Sequence, residues 1–153
     1  LVDKKSDLDK AVSNSLKFDK DILIEEYISG REITVGILNG EALPIVEILP
    51  SNEIYDYKCK YTPGMTKYFC PASLGEDLKN RIMLDSLKIF ELLKCKGYGR
   101  VDYIIDDNDN YYFLEINTLP GMTNTSLLPI AAKNADISFN NLVKKIIELG
   151  LSD

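Results

Sequence analysis

Two short segments with alternating apolar and polar residues, joined by an acidic turn, constrain the fold of this chain more than any other feature. The first runs from Gly99 to Ile105 and the second from Tyr112 to Asn117. Alternation with period two over runs of this length predicts β-strands. Residues 106–110 between them are all Asp or Asn, which tolerate tight turns. The stretch therefore predicts an antiparallel β-hairpin.

The polar residues of this hairpin are predicted to share one face, because residues two apart on a strand point to the same side. Arg100 then lies beside Asp102 on the first strand. Pairing Asp102 with Glu115 sets Arg100 opposite Asn117, whereas a slip by one residue would scatter these groups and bury charge. Carboxylate and amide oxygens suit Mg²⁺, which leaves its other positions to water and substrate phosphates. The hairpin thus predicts a metal–phosphate site.

Two other interpretations of the same residues have to be compared with this one. Hairpins often carry charges on their wet face, where an ion pair contributes little, and the hairpin alone leaves this possibility open. Asp106, Asn108 and Asn110 also match the first, third and fifth positions of an EF-hand calcium loop. That loop needs Gly at position six and Glu at position twelve, where this chain has Tyr111 and Asn117. The EF-hand is therefore excluded.

Composition narrows the class of protein. With 153 residues, 45% of them hydrophobic and 27% charged, the chain can form one substantial core. A net charge of −6 argues against nucleic acid as a partner, since binding it needs a basic stripe. No apolar run is long enough to cross a bilayer, so no membrane association is expected. Small-molecule chemistry is favoured.

The residue types that are missing or rare also limit the chemistry. The chain has no histidine, which excludes Ser-His-Asp and Cys-His catalysis and His-ligated zinc. Its three cysteines have no CxxC spacing, so neither a disulfide framework nor a zinc site is indicated. This cysteine usage fits a reducing, cytoplasmic setting. Catalysis is left to carboxylates, Lys, Arg, Tyr or a metal.

Strand signals also occur before the hairpin. Asp21–Ile28 is a short apolar run that predicts a buried strand. Arg31–Leu38 and Ala42–Leu49 predict two strands joined by Asn39 and Gly40, a strong signal for a two-residue turn. Together with the hairpin, these segments predict an antiparallel sheet of four or five strands.

Helix signals fill much of the remaining chain. A capping box at Ser73–Glu76 predicts the start of a long helix, and Gly97 is suited to end it. Ser138 predicts the start of the last helix. Helices with an antiparallel sheet indicate an α+β fold. The predicted helices cover approximately residues 6–18, 73–97, 127–133 and 138–150.

Two irregular segments are candidates for function. Pro50–Ser73 has no sustained period and is rich in Tyr and Lys, which suggests a lid over an anionic ligand, with Lys58 or Lys60 reaching phosphate. A solvated surface loop is the alternative. After the hairpin, Thr118–Ser126 is rich in hydroxyl groups and glycine and leads into a helix whose first amides could receive a carboxylate.

An ordered set of motifs resembles the C-terminal part of the D-alanine:D-alanine ligases, within the ATP-grasp superfamily. The resemblance spans nearly all 153 residues. The motifs that carry it are Glu25–Glu32, Tyr55–Tyr61, Tyr68–Ala72, Gly99–Asp102, Leu114–Asn117, Thr118–Thr123 and Ser126–Leu127.

The resemblance implies a partial chain. Residues 29–153 are expected to form the C-terminal ATP-grasp lobe, mainly an antiparallel sheet flanked by helices. Residues 1–28 are expected to end the central subdomain, so that residues 1–153 form one partial domain. The family's N-terminal substrate domain has no counterpart here. The fragment alone is therefore expected to lack ligase activity.

The resemblance also implies an activity. The family joins two D-alanines in the cytoplasm at the expense of ATP, through an acyl phosphate, and supplies a dipeptide for peptidoglycan. The expected partners are D-alanine and ATP, the expected cofactors are two Mg²⁺ or Mn²⁺ ions, and the full-length protein is expected to be a homodimer.

Site residues are carried over from the family's motifs by position. The expected metal ligands are Asp102, Glu115 and Asn117. The expected catalytic residues are Arg100, Lys60 and Tyr61. The expected nucleotide-binding residues are Glu25, Glu26, Tyr27, Ile28, Glu32, Lys60 and Leu114. The expected residues for the carboxylate of the second D-alanine are Gly121, Ser126 and Leu127.

Three alternatives from related or different classes stay open. A D-alanine:D-lactate ligase would have a similar site, but Tyr61 favours an amine acceptor. Another ATP-grasp carboxylate–amine ligase leaves the Pro120–Thr123 loop unexplained. A regulatory module could bind nucleotide or metal without turnover.

Overall fold

The computed structural model describes residues 1–50, 66–123 and 125–151. A six-stranded sheet forms its centre, with every described pairing antiparallel. The strand order is β4-β3-β1-β5-β6, and the short β2 pairs with the end of β1. The strands are β1 (Arg31–Leu38), β2 (Glu41–Ala42), β3 (Val46–Pro50), β4 (Thr66–Phe69), β5 (Tyr98–Ile105) and β6 (Tyr111–Asn117).

Four α-helices accompany the sheet in the described part of the chain, as the α+β prediction requires. A 3-10 turn (Lys5–Asp7) precedes the first helix. None of these helices is both long and apolar enough to cross a membrane. The helices are α1 (Leu8–Ser15), α2 (Glu76–Leu92), α3 (Leu127–Asn134) and α4 (Phe139–Leu151).

One face of the sheet, which we call the closed face, packs against α2. Alternate residues of β1 and β5 point to it and are almost fully buried, among them Ile33 and Tyr103. They meet the apolar side of α2, including Ile82 and Phe90. Ser86 places a hydroxyl in this core, and it donates to the Ile82 carbonyl oxygen and accepts from the Tyr103 hydroxyl at 2.9 Å. Every polar group at this contact therefore has a partner.

The opposite face, the open face, is only partly covered. Leu38 and Val46 pack against Leu128 and Ala132 of α3, and Leu142 of α4 joins them. Gly36 makes this close packing possible, because a Cβ atom there would lie only 3.0 Å from a methyl group of Leu128. The remainder of the open face, towards the start of β1, carries polar residues.

The predicted strand pairing of the hairpin is confirmed. Asp102 pairs with Glu115, and Arg100 pairs with Asn117. The turn at Asn39 and Gly40 is confirmed as well, with φ of 53° and 76°, which is the left-handed pair that a type I′ turn needs.

Three strand predictions need correction. No strand forms at 21–28: β1 already pairs with β3 and β5, and Leu23 is 81% exposed. The strand predicted for 42–49 is interrupted between β2 and β3, where Pro44 lacks a backbone N–H. The predicted loop 50–73 contains β4, a run of four residues that is too short to show a period.

Helix boundaries also differ from the predictions. The capping box does not form: α2 begins at Glu76 after Gly75, without a side-chain cap. The helix ends at Leu92, before Gly97, because Lys94 takes a left-handed conformation (φ 56°) and Cys95 N–H bonds the Phe90 carbonyl oxygen at 2.9 Å. The first helix stops at Ser15. The last one has its expected cap, since Ser138 Oγ accepts the Asn141 N–H at 3.3 Å.

Candidate functional site

A cleft of about 740 Å³ lies on the open face, bounded by the sheet, by the segment before β1 and by the loop that leads to α3. Most of the sequence-predicted site residues within the described chain line it. They are Glu25, Glu32, Arg100, Asp102, Leu114, Glu115, Asn117, Gly121, Ser126 and Leu127.

The strand register arranges the cleft in rows. Glu32 of β1 faces Ile104 of β5 in the first row. Two residues further along β1, about 7 Å away, Thr34 pairs with Asp102, which in turn pairs with Glu115. Two residues further again along β1, the third row holds Gly36, Arg100 and Asn117. The chain then leaves β6 and enters the loop at 118–126. The cleft residues are therefore ordered along the strands, from Glu32 in the first row to the loop after Asn117 in the third.

Arg100 and Asp102 form the buried centre of this arrangement. Arg100 Nη2 donates to Asp102 Oδ2 at 2.9 Å, and the two side chains are 13% and 9% exposed. Thr34, from the neighbouring strand, donates its hydroxyl to the other carboxylate oxygen. A buried ion pair needs such additional hydrogen bonds to offset the loss of hydration.

A β-bulge in β6 changes which side chains reach the cleft. Asp102 pairs with Glu115, but the next residue, Tyr103, pairs with Phe113, so Leu114 is the extra residue. Leu114 and Glu115 are consecutive, yet both line the cleft. Bulges commonly re-aim side chains next to active sites in this way.

The loop after β6 is held by its own hydroxyl groups. Asn117 Oδ1 accepts the Leu119 N–H at 3.1 Å, which fixes the loop to the end of the strand. Ser126 Oγ accepts the Thr123 N–H at 2.9 Å and lies 2.8 Å from Thr123 Oγ1. Ser126 immediately precedes α3, whose first N–H groups favour a negatively charged group. A carboxylate would therefore fit at this end of the cleft.

The described lining of the cleft carries more negative than positive charge. Its described lining has four carboxylates, of Glu25, Glu32, Asp102 and Glu115, and one cation, Arg100. A polyphosphate could enter only with additional positive charge. No group of three His, Cys, Asp or Glu residues that could hold a metal occurs among the described residues. Mg²⁺ needs only one or two carboxylates together with substrate oxygens, so Asp102 and Glu115, with the amide of Asn117, fit it.

The chain is similar to known ligases over almost its whole length. The family model described as "D-ala D-ala ligase C-terminus" matches residues 1–148. This chain belongs to that family. The D-alanine–D-alanine ligase of Methylacidiphilum infernorum is 49% identical over 143 residues, which cover 94% of this chain and 47% of the relative. The ligase of Desulforamulus reducens is 44% identical, with 99% and 49% covered. The chain thus spans about half the length of these relatives.

Solved structures of the ligase family confirm the predicted ATP-grasp fold. The D-alanine–D-alanine ligase of Bacillus anthracis in complex with ATP superposes with a TM-score of 0.83 at 39% identity, covering 99% of this chain and 49% of that one. A D-Ala:D-Ser ligase from Enterococcus faecalis gives a TM-score of 0.80 at 31% identity, with 95% and 43% covered.

Some residues carried over from the ligase family lie elsewhere. Among the described residues, Glu26, Tyr27 and Ile28 do not line the cleft, although their neighbour Glu25 does. Lys60 and Tyr61, with most of the predicted lid, lie outside the described residues. The roles assigned to all of these residues remain predictions.

Other cleft residues were missed by sequence reasoning. Thr123 and Thr125 were noted only as part of a hydroxyl-rich loop, Tyr68 only as the first residue of a family motif, and Ile48 carries no local signal. Thr34, which bonds the cleft residue Asp102 without lining the cleft itself, did have a local signal: it is the only polar side chain in the apolar run from Ile33 to Leu38.

Proposed function

We propose that this chain forms the C-terminal part of an ATP-dependent D-alanine:D-alanine ligase of about twice its length. The observation that carries the proposal is the row order of the cleft, with Glu32, then Asp102 and Glu115, then Arg100, then Ser126 at the start of α3. This order matches a nucleotide ribose, its phosphates, the transferred phosphoryl group and an acceptor carboxylate. Residues 1–28 belong to the neighbouring subdomain in this proposal, which fits the absence of any buried residue among them.

The nucleotide end of the cleft takes the substrate ATP. The backbone of residues 25–28 meets adenine, Glu32 accepts hydrogen bonds from the ribose hydroxyls, and Leu114 packs against the base. Lys60 and Tyr61 close over the phosphates. Exclusion of water at this step protects an acyl phosphate from hydrolysis.

Asp102, Glu115 and Asn117 hold two Mg²⁺ or Mn²⁺ ions in this proposal. A bound divalent cation supplies charge neutralisation at the phosphates. Asp102 and Glu115 share one ion, and Glu115 and Asn117 share the second. Their oxygen donors and the excess of carboxylates in the cleft support this assignment.

Arg100 steadies the charge that develops during the reaction. The carboxylate of the first D-alanine attacks the γ-phosphorus of ATP, which yields an acyl phosphate and releases ADP. The amine of the second D-alanine then attacks the acyl carbon, loses a proton and expels inorganic phosphate. Both steps require positioning and charge stabilisation more than covalent help from the protein.

The second D-alanine binds through its carboxylate to the loop before α3. Ser126 supplies a hydroxyl and Leu127 a helix N-terminal amide. Gly121 allows close approach, since a Cβ atom there would already lie 3.0 Å from Ser126 Oγ. The product dipeptide serves peptidoglycan synthesis in the cytoplasm, and the full-length enzyme is a homodimer that needs neither nucleic acid nor a membrane.

A phosphate-release assay with dipeptide detection tests the proposal. The full-length protein containing this chain should release phosphate only with both ATP and D-alanine, and the 153-residue chain alone should not. Asp102→Asn and Glu115→Gln should each abolish turnover, because charge is lost while shape is kept. Unchanged turnover in either variant would contradict the metal assignment. A full-length protein without D-alanine-dependent release would contradict the ligase.

The acceptor has a second candidate. The likeness to a D-Ala:D-Ser ligase favours including D-serine, and D-lactate tests the ester-forming alternative. Competition among the three acceptors from pH 6 to 9, with the products identified, separates them. The pH dependence distinguishes D-lactate from the two amines, since only an amine has to lose its proton before it attacks, and the products distinguish D-alanine from D-serine. We expect D-alanine to be preferred throughout this range.

A further inference from the structure

A buried hydroxyl lies between the two charged side chains at the centre of the cleft. Thr34 is 1% exposed and sits on β1, directly opposite Asp102. Its neighbours in the strand, Ile33 and Val35, are apolar and fully buried. A valine would fill the same volume, so packing alone gives no reason for a hydroxyl at this position.

The hydrogen bonds of this hydroxyl involve both charged groups. Thr34 Oγ1 donates to Asp102 Oδ1, which is a closer acceptor than the Val101 carbonyl oxygen at 3.4 Å. Since its one proton is used there, the oxygen accepts from Arg100 Nε at 3.3 Å. Arg100 Nε itself lies 3.5 Å from Asp102 Oδ1, at the limit of a hydrogen bond, whereas Nη2 bonds Oδ2 at 2.9 Å.

Arg100 therefore does not meet Asp102 as a simple two-bond fork. Of the two guanidinium nitrogens that face the carboxylate, Nη2 bonds it directly, whereas Nε lies closer to the Thr34 hydroxyl than to the carboxylate. The guanidinium therefore approaches the carboxylate more closely at Nη2 than at Nε, where the hydroxyl lies. Because Thr34 belongs to β1, this orientation is set by a strand outside the hairpin that carries both charges.

We propose that Thr34 is a positioning residue of this site, whose hydroxyl fixes the orientation of Arg100 relative to Asp102. This inference rests on the proposed function, in which Arg100 stabilises the transferred phosphoryl group and Asp102 binds a metal. Small displacements of such groups reduce rates strongly, since the transition state depends on their placement. In this proposal Thr34 does not touch the substrate or the metal, and it acts only through Arg100 and Asp102.

Two substitutions separate the hydroxyl from the volume of the side chain. Thr34→Val keeps the volume and removes the hydroxyl, and Thr34→Ser keeps the hydroxyl. In the full-length enzyme, Thr34→Val should lower kcat about 10- to 100-fold, the range for a lost hydrogen bond to a charged group. KM for ATP and D-alanine should change less than about threefold, because the loss is felt in the transition state. Thr34→Ser should restore kcat to within about threefold of the wild type.

A second readout does not depend on turnover. NMR exchange of the Arg100 Nε–H, measured in the metal-free full-length protein, should be about tenfold faster in Thr34→Val than in the wild type, since one of its acceptors is removed. Thr34→Ser should keep the slow exchange. Assignment of the resonance comes from its loss in Arg100→Lys.

Ser86→Ala is the matched control. Ser86 also carries a fully buried hydroxyl, but on the closed face, where it bonds Ile82 and Tyr103. Its loss should leave kcat and Arg100 Nε–H exchange unchanged. A wild-type kcat for Thr34→Val, equal losses in the Val and Ser variants, or unchanged exchange would overturn the positioning role. An inactive wild-type protein would count against the proposed function instead, and the exchange rates would still decide the role of Thr34.

Discussion

Two Arg–carboxylate pairs lie on opposite faces of one sheet, and they differ in their access to water. On the closed face, Arg31 meets Glu47 with two direct bonds of 2.7 and 2.8 Å, and its side chain is 42% exposed. On the open face, the Arg100 and Asp102 side chains are nearly buried, and Thr34 joins them. The better two-bond geometry thus belongs to the more exposed pair.

This difference separates two reasons for keeping a charge. An exposed pair stays hydrated and contributes little to stability. A buried pair loses hydration, and an apolar pair of the same volume is often as stable or more so. Arg100 and Asp102 are therefore poorly explained by stability. They lie in the cleft between Glu32 and Ser126, which favours a role for these two charges in binding or reaction.

Removal of Arg100 should have the largest effect. Arg100→Met leaves the Asp102 carboxylate buried without its cation, which should lower the free energy of unfolding by about 3–5 kcal/mol. In the proposed function, this charge stabilises the transition state, so its loss should lower the kcat of the full-length protein about 10²- to 10³-fold or more. Urea unfolding and phosphate release, both measured on the full-length protein at 15 °C, report the two effects.

The double variant Arg100→Met with Asp102→Leu distinguishes stability from chemistry. Replacing both charges should restore most of the free energy of unfolding, since no unpaired charge remains. Turnover should not recover, because the double variant also lacks the Asp102 carboxylate that the proposed function assigns to metal binding. Recovery of turnover along with stability would show that the open-face pair serves the fold and would remove the contrast between the two faces.

Truncation of the closed-face core should give the opposite pattern. Ile82 is fully buried under the sheet, and Ile82→Ala should cost about 2–5 kcal/mol of unfolding free energy by leaving a cavity. Its kcat at 15 °C should match the wild type, because α2 contributes no residue to the cleft lining within the described chain. A fall in kcat like that of Arg100→Met would contradict the separation of the two faces.

The same two faces show what could be predicted from sequence. Alternation in the hairpin was sufficient to predict the pairing of Asp102 with Glu115, because any slip would bury charge. The bulge at Leu114 could not be predicted, since one extra residue leaves the alternation on each side intact. Thr34 was overlooked because a single threonine in an apolar run is compatible with an ordinary strand.

The segment 21–28 was predicted wrongly for a different reason. Its apolar residues resemble a buried strand, but burial depends on a neighbour that the local sequence does not specify. The described sheet offers it no pairing, and Ile24 is 64% exposed. The local pattern therefore predicted a strand at 21–28 wrongly, because an apolar run does not specify whether a pairing partner is present.

A pH titration of the closed face should give an intermediate effect. Burial raises the pKa of Tyr103 to about 12, compared with about 10 in an unfolded chain. The folded protein keeps a proton that the unfolded chain releases, so this stabilisation is complete below pH 10 and is lost as the pH rises to 12. Between these values the wild type should lose up to about 3 kcal/mol more than Tyr103→Phe. Urea unfolding at pH 9 to 12 measures the two slopes, and parallel slopes would contradict the shifted pKa.

The exposed pair should give the smallest effect. Arg31→Met removes its two bonds to Glu47 and a third from Nη2 to the Ser73 carbonyl oxygen at 2.9 Å. The Arg31 side chain is 42% exposed and that of Glu47 15%, so removing the guanidinium opens the Glu47 carboxylate to water, and the loss should be at most about 1 kcal/mol. It should shrink further in 1 M NaCl, because salt screens exposed charges, and kcat should not change. A loss as large as that of Arg100→Met, measured by urea unfolding at both salt concentrations, would mean that the geometry of an Arg–carboxylate pair matters more than its burial.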